Sequence, residues 1–310
     1  MEIRAATGPS LEQRLGQSHT WTITDLSMTN DRPIPEGKYL KTRSGQTIHY
    51  QEAGTRRAGQ PSVLFLHGSG PGASGYSNFK HNYPVFAAAG HHCLAIDYPG
   101  YGYSSMPTDR DYSTEFYVQQ FDELLTGLGI EQVVPVGNSL GGLLATEYTL
   151  AFPRKVPKLI VMAPGGLAEG STFVPYQVGL HAMFAWVAQR PTDEGSFRAV
   201  LAHLVHDPSS LDESAVRERF PIALRQPSEV WTRMRVGHYT ERLSELACPI
   251  LAFWGAKDKF LPVAQGLVLV QRARNVRLVV SSRAGHWYMI EEREDFNRQC
   301  LAFLAEGGAS

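Results

Sequence analysis

The chain has 310 residues, with 29 Lys and Arg against 30 Asp and Glu, and a formal net charge of -1. Balanced charge without a long run of one sign argues against nucleic acid or an anionic membrane as the main partner. At 43% hydrophobic and 19% charged residues, the sequence is typical of a globular protein. Its apolar runs fall well short of the roughly 18 residues that a membrane span needs.

The chain begins with a polar, irregular segment that ends in DRPIPEG, where two prolines and a glycine prevent a continuous helix or strand. We predict an N-terminal arm over residues 1–37. The arm lacks the apolar stretch of a signal peptide, and three widely spaced cysteines do not suggest a disulfide framework. Both features favour a reducing, cytoplasmic location.

The next segment predicts a β-hairpin, because a Ser44-Gly45 turn separates YLKT from the alternating run QTIHYQE. Short runs that are aliphatic on both faces follow, as is typical of strands covered on both sides. Helical patterns fill most of the intervals, so we predict an α/β fold with a mostly parallel sheet flanked by helices. The runs are VLFL (63–66), CLAI (93–96), VVPV (133–136), LIVM (159–162), ILAF (250–253) and VRLVV (276–280).

One interval is too long for a single crossover connection. Nearly ninety residues separate LIVM from ILAF, with helical spacing and no convincing strand. We predict a helical cap over residues 167–240, inserted into an α/β core of residues 38–166 and 241–310.

The segment VVPVGNSLGG predicts a nucleophile. Residues 137–141 match G-x-S-x-G between a buried strand and a helix, which is the context of a nucleophile elbow. Glycines are expected on both sides of Ser139, because side chains there would collide with the neighbouring strand and helix.

A serine nucleophile requires a base and an orienting carboxylate, in the chain order Ser, acid, His for this type of elbow. Asp258 follows the ILAF strand, and His286 follows the VRLVV strand. The predicted triad is therefore Ser139, Asp258 and His286. The glycine-rich loop after VLFL would supply one oxyanion N–H, from Ser69 or Gly70, and Leu140 would supply the other.

The same loop permits a different interpretation. Residues 70–75 match G-x-G-x-x-G, and Asp97 ends the next strand, as a dinucleotide site requires. Against this, residues 67–69 separate the strand from the first glycine, Pro71 stiffens the turn, and the triad residues stay unexplained. No P-loop, CxxC pair or HExxH motif occurs, and His203 and His206 lack further ligands, so we expect neither cofactor nor metal.

Five segments together resemble the meta-cleavage product hydrolases, α/β-hydrolase-fold enzymes that cleave carbon–carbon bonds in 2-hydroxy-6-oxohexa-2,4-dienoate-type products of aromatic-ring degradation. The resemblance extends over about residues 45–305. The segments are LHGSGPGASGYSNF, VGNSLGG, MAPGGL, WGAKDKFLPVAQGL and GHWYMIEEREDFNR.

The resemblance implies roles for individual residues. It supports the triad and places the oxyanion donors on Ser69 and Leu140. It also implies a pocket for the substrate carboxylate, with Arg219 selected from the cap segment RERF and Arg217 as the second choice. The other residues of this pocket would be Gly70, Asn78, Asn138 and Trp287.

The implied activity is cofactor-free hydrolysis of a dienoate to a carboxylic acid and 2-hydroxypenta-2,4-dienoate. The resemblance also implies that the substrate is a small molecule and that the enzyme forms homo-oligomers. We expect the distal substituent of the ketone to contact Leu167, Met183, Phe184, Trp186 and Leu261. Two alternatives remain open: a carboxylesterase or lactonase using the same triad, and a ligand sensor or dinucleotide enzyme in which the triad is idle.

Overall fold

The computed structural model describes residues 34–190 and 192–307, so most of the predicted N-terminal arm lies outside the described residues. Eight strands form one sheet in the order β1-β2-β4-β3-β6-β7-β9-β10. A pair of two-residue strands, β5 and β8, lies apart from it. The bounds are β1 Lys38–Lys41, β2 Thr47–Ala53, β3 Ser62–Leu66, β4 Cys93–Asp97, β5 Tyr112–Ser113, β6 Val133–Asn138, β7 Leu159–Met162, β8 Met234–Arg235, β9 Ile250–Gly255 and β10 Val276–Ser281.

The sheet confirms the predicted fold class. β1 and β2 form the expected antiparallel hairpin, and β2 pairs antiparallel with β4. The other neighbouring strands, from β4 to β10, are parallel. Because β3, β4, β6, β7 and β9 are buried along their whole length, their aliphatic runs carry no alternating pattern.

Helices connect the parallel strands and cover the sheet. The helices of the core are α1 Gly75–Phe79, α2 Tyr83–Ala88, α3 Thr114–Gly127, α4 Leu140–Ala151, α10 Ala264–Arg272, α11 Tyr288–Glu291 and α12 Arg293–Ala305. The long connection between β7 and β9 contains α5 Gly170–Phe173, α6 Val178–Gln189, α7 Glu194–Leu201, α8 Glu213–Arg225 and α9 Glu229–Thr232. Short 3-10 turns occupy Val174–Tyr176, Pro208–Ser210 and Thr240–Glu245.

The segment predicted as the cap is mainly helical, with one difference from the expectation. It contains the short strand β8, which pairs with β5 through Tyr112 and Met234. Two residues are too few to leave a periodic pattern in a sequence, which explains why this strand was not expected. The division into core and cap, with its boundaries at 167 and 240, stays a prediction.

None of the helices in the described part of the chain is both long and apolar enough to cross a bilayer.

Candidate active site

Ser139 occupies the sharp turn between β6 and α4. Its backbone has φ 58° and ψ -119°, a region that non-glycine residues rarely adopt. A Cβ on Gly137 would lie 2.2 Å from the Gly141 carbonyl oxygen, and one on Gly141 would lie 2.1 Å from the Leu66 carbonyl oxygen. Both glycines are therefore required by close backbone contacts, for the reason that the sequence motif predicts.

His286 and Asp258 form a buried hydrogen-bonded pair. Nδ1 of His286 lies 2.8 Å from Oδ2 of Asp258, and both side chains are nearly inaccessible to solvent. The other carboxylate oxygen, Oδ1, accepts backbone N–H bonds from Phe260 at 2.7 Å and Leu261 at 3.0 Å. Because Nδ1 is held by the carboxylate, the nitrogen that can act as a base is Nε2.

A partly open cavity lies at the loops that follow β3 and β6, where Gly68 and Ser139 line it. Eight of the ten predicted site residues line it. Of the other two, Asp258 contacts the cavity through His286, and Leu140 directly follows Ser139 at the start of α4. The eight lining residues are Ser69, Gly70, Asn78, Asn138, Ser139, Arg219, His286 and Trp287.

Arg219 is a buried cation without an acidic partner. Its side chain is 1% exposed, and Nε and Nη2 donate to the Pro71 carbonyl at 3.2 and 3.0 Å. Among the described residues it forms no ion pair. The adjacent Glu218 pairs with Lys80 at 2.7 Å and acts on Arg219 only through its charge. Burial lowers the pKa of Arg219 to about 9. Arg217, the second choice from the sequence, is exposed to solvent.

The surroundings of Arg219 keep the guanidinium at the cavity. It lies over the Trp287 ring, 5.1 Å from the ring centre. A Cβ on Gly70 would approach Nη2 to 2.7 Å, and one on Gly72 would lie 2.0 Å from the Arg219 carbonyl oxygen. Gly72, with a φ of +65°, is thus required by the backbone of this arginine, whereas a side chain at position 70 would displace the guanidinium.

Each of the two asparagines in the predicted pocket has a buried amide oxygen without a hydrogen-bond partner in the described part of the chain. The Asn138 amide NH2 donates to the carbonyls of Met162 at 3.3 Å and His286 at 3.1 Å, which leaves its Oδ1 without a partner among the described residues. An amide oxygen accepts hydrogen bonds, so it suits a hydroxyl group rather than a carboxylate. The oxygen of the buried Asn78 amide is likewise without a partner.

The apolar wall of the cavity differs from the expectation. Of the five residues expected there, Met183 lines it, whereas Leu167, Phe184, Trp186 and Leu261 are not in its wall. Trp186, for example, packs against Phe197 within the predicted cap. The apolar lining residues besides Met183 are Leu180, Val200, Leu201, Leu204 and Phe260.

Two of these contacts had no usable signal in the sequence. The Phe260 ring stacks on His286 with 4.9 Å between ring centres, and Leu204 accepts a hydrogen bond from the Trp287 N–H at 3.0 Å. The first contact joins two loops of the predicted core, and the second depends on how the predicted cap lies against the core. The spacing of Val200, Leu201 and Leu204 does fit one helical face, so these residues could have been proposed.

The buried contacts of Asp97 argue against the dinucleotide interpretation. Its buried carboxylate accepts N–H bonds from Gly75 at 2.7 Å and Tyr103 at 2.9 Å, and it lies 2.8 Å from Nδ1 of His49. An aspartate with these three partners is not free to bind a ribose. Within residues 34–190 and 192–307, no cluster of three or more His, Cys, Asp or Glu side chains suits a metal ion.

The chain is similar to known proteins in sequence. Residues 61–293 match the model of the alpha/beta hydrolase fold family. The chain is 34% identical to a 2-hydroxy-6-oxononadienedioate/2-hydroxy-6-oxononatrienedioate hydrolase from Paraburkholderia phymatum, over 87% of this chain and 96% of the relative. It is 32% identical to a 2-hydroxy-6-oxo-6-phenylhexa-2,4-dienoate hydrolase from Comamonas testosteroni, over 86% and 94%.

A solved structure shares the same overall arrangement. It is a meta-cleavage product hydrolase from Pseudomonas fluorescens IP01, with a TM-score of 0.73 and 26% identity, covering 86% of this chain and 97% of that chain.

Proposed function

This chain belongs to the meta-cleavage product hydrolases of the α/β-hydrolase fold, and on that basis we propose which bond it cleaves and which residues act. It hydrolyses the carbon–carbon bond next to the ketone of a 2-hydroxy-6-oxo-dienoate. Water is consumed, and the products are a carboxylic acid and 2-hydroxypenta-2,4-dienoate.

The observation that carries this proposal is the buried, unpaired Arg219 in the same cavity as Ser139 and His286. A buried cation without a counterion is costly, and an anionic ligand removes much of that cost. A guanidinium also holds a planar carboxylate through two hydrogen bonds, which orients the substrate as well as binding it. A simple ester presents no such anion, so the arginine favours the dienoate over the esterase alternative.

Proton transfer comes first in the proposed mechanism. The 2-hydroxyl of the bound substrate first donates a hydrogen bond to Nε2 of His286, which lines the cavity together with Asn138. Nε2 takes this proton and then delivers it to the carbon on the far side of the conjugated system, which leaves the imidazole neutral again. The resulting ketone makes the departing fragment a stabilised carbanion equivalent, which lowers the barrier to cleavage.

Bond cleavage follows at the distal ketone. Ser139 attacks this carbon after His286 accepts the serine proton, and the N–H groups of Ser69 and Leu140 bind the developing oxyanion. The carbon–carbon bond breaks, and the departing enolate takes the proton that His286 accepted from Ser139 and leaves as the 2-hydroxypentadienoate. Water then hydrolyses the acyl group from Ser139. Support comes from the Asp258 contact, which fixes the His286 tautomer that this step requires.

The apolar wall of the cavity favours an apolar distal group. Its six apolar side chains include Leu180 and Met183 of α6, and Arg219 is the only Lys or Arg among the residues lining the cavity in the described part of the chain. A second carboxylate placed against this wall would lose its hydration without gaining a cation. We therefore propose an aryl or alkyl ketone as substrate, although the relative from Paraburkholderia phymatum is named for dioates.

A substrate panel tests both parts of the proposal. The purified protein is mixed with the 6-phenyl dienoate, the nonadienedioate and p-nitrophenyl acetate, and loss of the visible dienoate absorbance or release of nitrophenolate is followed. We expect kcat/KM to be highest for the 6-phenyl compound. Rapid ester turnover with no change in either dienoate would support the esterase, and preference for the dioate would contradict the apolar assignment.

We also propose that the enzyme is a cytoplasmic homo-oligomer. The buried, unpaired Cys93, Cys248 and Cys300 are compatible with a reducing compartment. Leu267 and Val270, one turn apart on α10, and Val280 on the edge strand β10 are 56%, 40% and 48% exposed, a set of apolar side chains that a second copy could cover. Light scattering of the purified protein measures the mass directly, and a monomer mass at micromolar concentration would contradict this part.

A further inference from the structure

The segment that follows α7 packs against the loops that carry His286 and Asp258. The backbone N–H of Trp287 donates to the Leu204 carbonyl at 3.0 Å. Gly285 approaches this segment so closely that a Cβ there would lie 2.8 Å from the His206 nitrogen and 2.9 Å from the Val205 carbonyl carbon. We call residues 204–206 the contact segment.

Glu291 joins the contact segment to the His286 loop. One carboxylate oxygen accepts the His206 N–H at 2.5 Å, and the other accepts the Gly285 N–H at 2.6 Å. When this carboxylate is ionised, both bonds are charge-assisted hydrogen bonds, which are stronger than neutral ones. Because its two partners lie about 80 residues apart in the sequence, this side chain connects two segments that no regular element joins.

Lys259 joins the same segment to the Asp258 loop. Its ammonium group donates to the carbonyls of Val205 at 3.0 Å and His206 at 3.4 Å. Its own carbonyl accepts the N–H of Gly179, near the start of α6, at 2.9 Å. The residue between Asp258 and Phe260 is therefore tied to two separate parts of the predicted cap.

From these contacts we propose that Glu291 and Lys259 are positioning residues, which hold the contact segment against the loops that carry His286 and Asp258. They thereby fix the position of the His286 ring relative to Leu204 in the cavity wall. Neither residue lines the cavity, so they act through others. The proposal rests on the catalytic roles given above to His286 and Asp258. It predicts that weakening either connection lowers turnover more than it lowers folding stability.

The cost of burying Glu291 supports a role beyond stability. Burial raises the pKa of Glu291 to about 7, although the N–H groups of His206 and Gly285 and the charge of Lys259 oppose the shift, while Asp258 adds to it. A carboxylate in these surroundings costs folding free energy when it is ionised. Groups that are unfavourable for stability are common where activity requires a fixed geometry.

The test compares Glu291→Gln with Glu292→Gln as a matched control. Glu292 is the adjacent carboxylate, and it bonds Ser281 and Arg283 rather than the contact segment. We expect Glu291→Gln to lower kcat about tenfold on the 6-phenyl dienoate with a smaller change in KM, since a mispositioned catalytic group mainly affects the transition state. Glu292→Gln should retain the wild-type kcat within about twofold. Its unfolding midpoint should fall at least as far as that of Glu291→Gln.

A second variant and a second measurement keep the proposal testable if the first variant unfolds. Lys259→Met removes the other connection, and because both act on one segment, the combined loss in the double variant should be smaller than the product of the single losses. Hydrogen exchange of peptides containing residues 204–206 and Gly285 should rise in Glu291→Gln and stay unchanged in Glu292→Gln.

Two outcomes would overturn the proposal: equal losses of kcat in Glu291→Gln and Glu292→Gln, or unchanged exchange at the contact segment in Glu291→Gln. Failure of the proposed function is distinguishable, because it would appear as no dienoate turnover by the wild-type protein. In that case the exchange measurement would still test the positioning roles. The kcat ratios on p-nitrophenyl acetate would also test them if the protein hydrolyses that ester.

Discussion

At the level of single residues, the guanidinium of Arg219 and the imidazole of His286 lie in one cavity but have opposite electrostatic situations. His286 has a carboxylate partner in Asp258, whereas Arg219 has only carbonyl and ring contacts in the described part of the chain. The first arrangement satisfies a group that becomes charged during a reaction. The second leaves a charge that an incoming anion can satisfy.

Replacing this arginine should therefore affect one substrate class. In Arg219→Met the loss of a charge-assisted hydrogen-bond pair, worth about 1.5–3 kcal/mol, should lower kcat/KM on a dienoate by about 10- to 100-fold, mainly through KM. Hydrolysis of p-nitrophenyl acetate should change little, because it has no carboxylate. Steady-state kinetics on both substrates measures the split.

Arg217→Met is the matched control, since this arginine lies two residues away on α8 and is exposed. It should leave both activities unchanged. Equal losses on dienoate and ester in Arg219→Met would instead mean that the arginine supports folding of the site.

The raised pKa of Glu291 also predicts how stability depends on pH. Burial raises its pKa from 4.5 to about 7, so folding favours the protonated form. Its contribution to stability is fully present below pH 4.5 and is lost as the pH rises through 7. Between about pH 5 and about pH 8, wild type should therefore lose more stability than Glu291→Gln, as measured by urea unfolding. Parallel pH curves for the two proteins would contradict the pKa direction.

Single residues also differ in how far the sequence predicts them. Ser139, His286 and Asp258 could be found because each follows a strand end, which local pattern locates well. Arg219 could be selected through the family resemblance, but its burial and missing counterion depend on how α8 lies against residues 70–72. The hydrogen-bond role of the Asn138 NH2 had no sequence signal, because it requires the positions of β7 and the His286 loop together.

At the level of elements, strands were predicted better than the helices of the predicted cap. The strands carry continuous aliphatic runs, because they are buried on both faces. In the predicted cap, each helix buries one stripe, and which stripe faces the cavity depends on docking to the rest of the chain. The sequence therefore locates the helix that forms the wall. It does not distinguish Met183, which lines the cavity, from Phe184 and Trp186, which do not.

The α6 face that forms this wall can be tested by adding a charge. Met183→Lys places a cation where the distal group of the substrate would lie, so we expect kcat/KM for the 6-phenyl dienoate to fall at least tenfold. Discrimination against the nonadienedioate should shrink, since its second carboxylate gains a partner. The measurement is the ratio of kcat/KM values for the two substrates.

Ala185→Lys serves as its control, because Ala185 is on the same helix and exposed. This variant should keep the wild-type ratio. An unchanged ratio in a folded Met183→Lys protein would mean that the distal group does not contact α6.

At the level of the whole molecule, the sheet brings together residues that are far apart in sequence. β3, β6, β9 and β10 are parallel, so the loops that follow them emerge at one edge and carry Ser69, Ser139, Asp258 and His286, respectively. Helices from one long connection then cover this edge and contribute Arg219 and the apolar wall. The fold thus places the proposed nucleophile, base and anion site around one cavity, an arrangement that alternating strands and helices predict in outline.

The central claim is that Ser139, activated by His286, cleaves the carbon–carbon bond of a dienoate in this cavity. The most direct measurement is product analysis by mass spectrometry, in isotopically labelled water, for wild type and Ser139→Ala with the 6-phenyl dienoate. We predict that wild type releases benzoate carrying one labelled oxygen and 2-hydroxypenta-2,4-dienoate in equal amounts, and that Ser139→Ala lowers kcat on the order of a thousandfold or more while remaining folded. Equal rates for the two proteins, or consumption of the dienoate without benzoate, would contradict the claim.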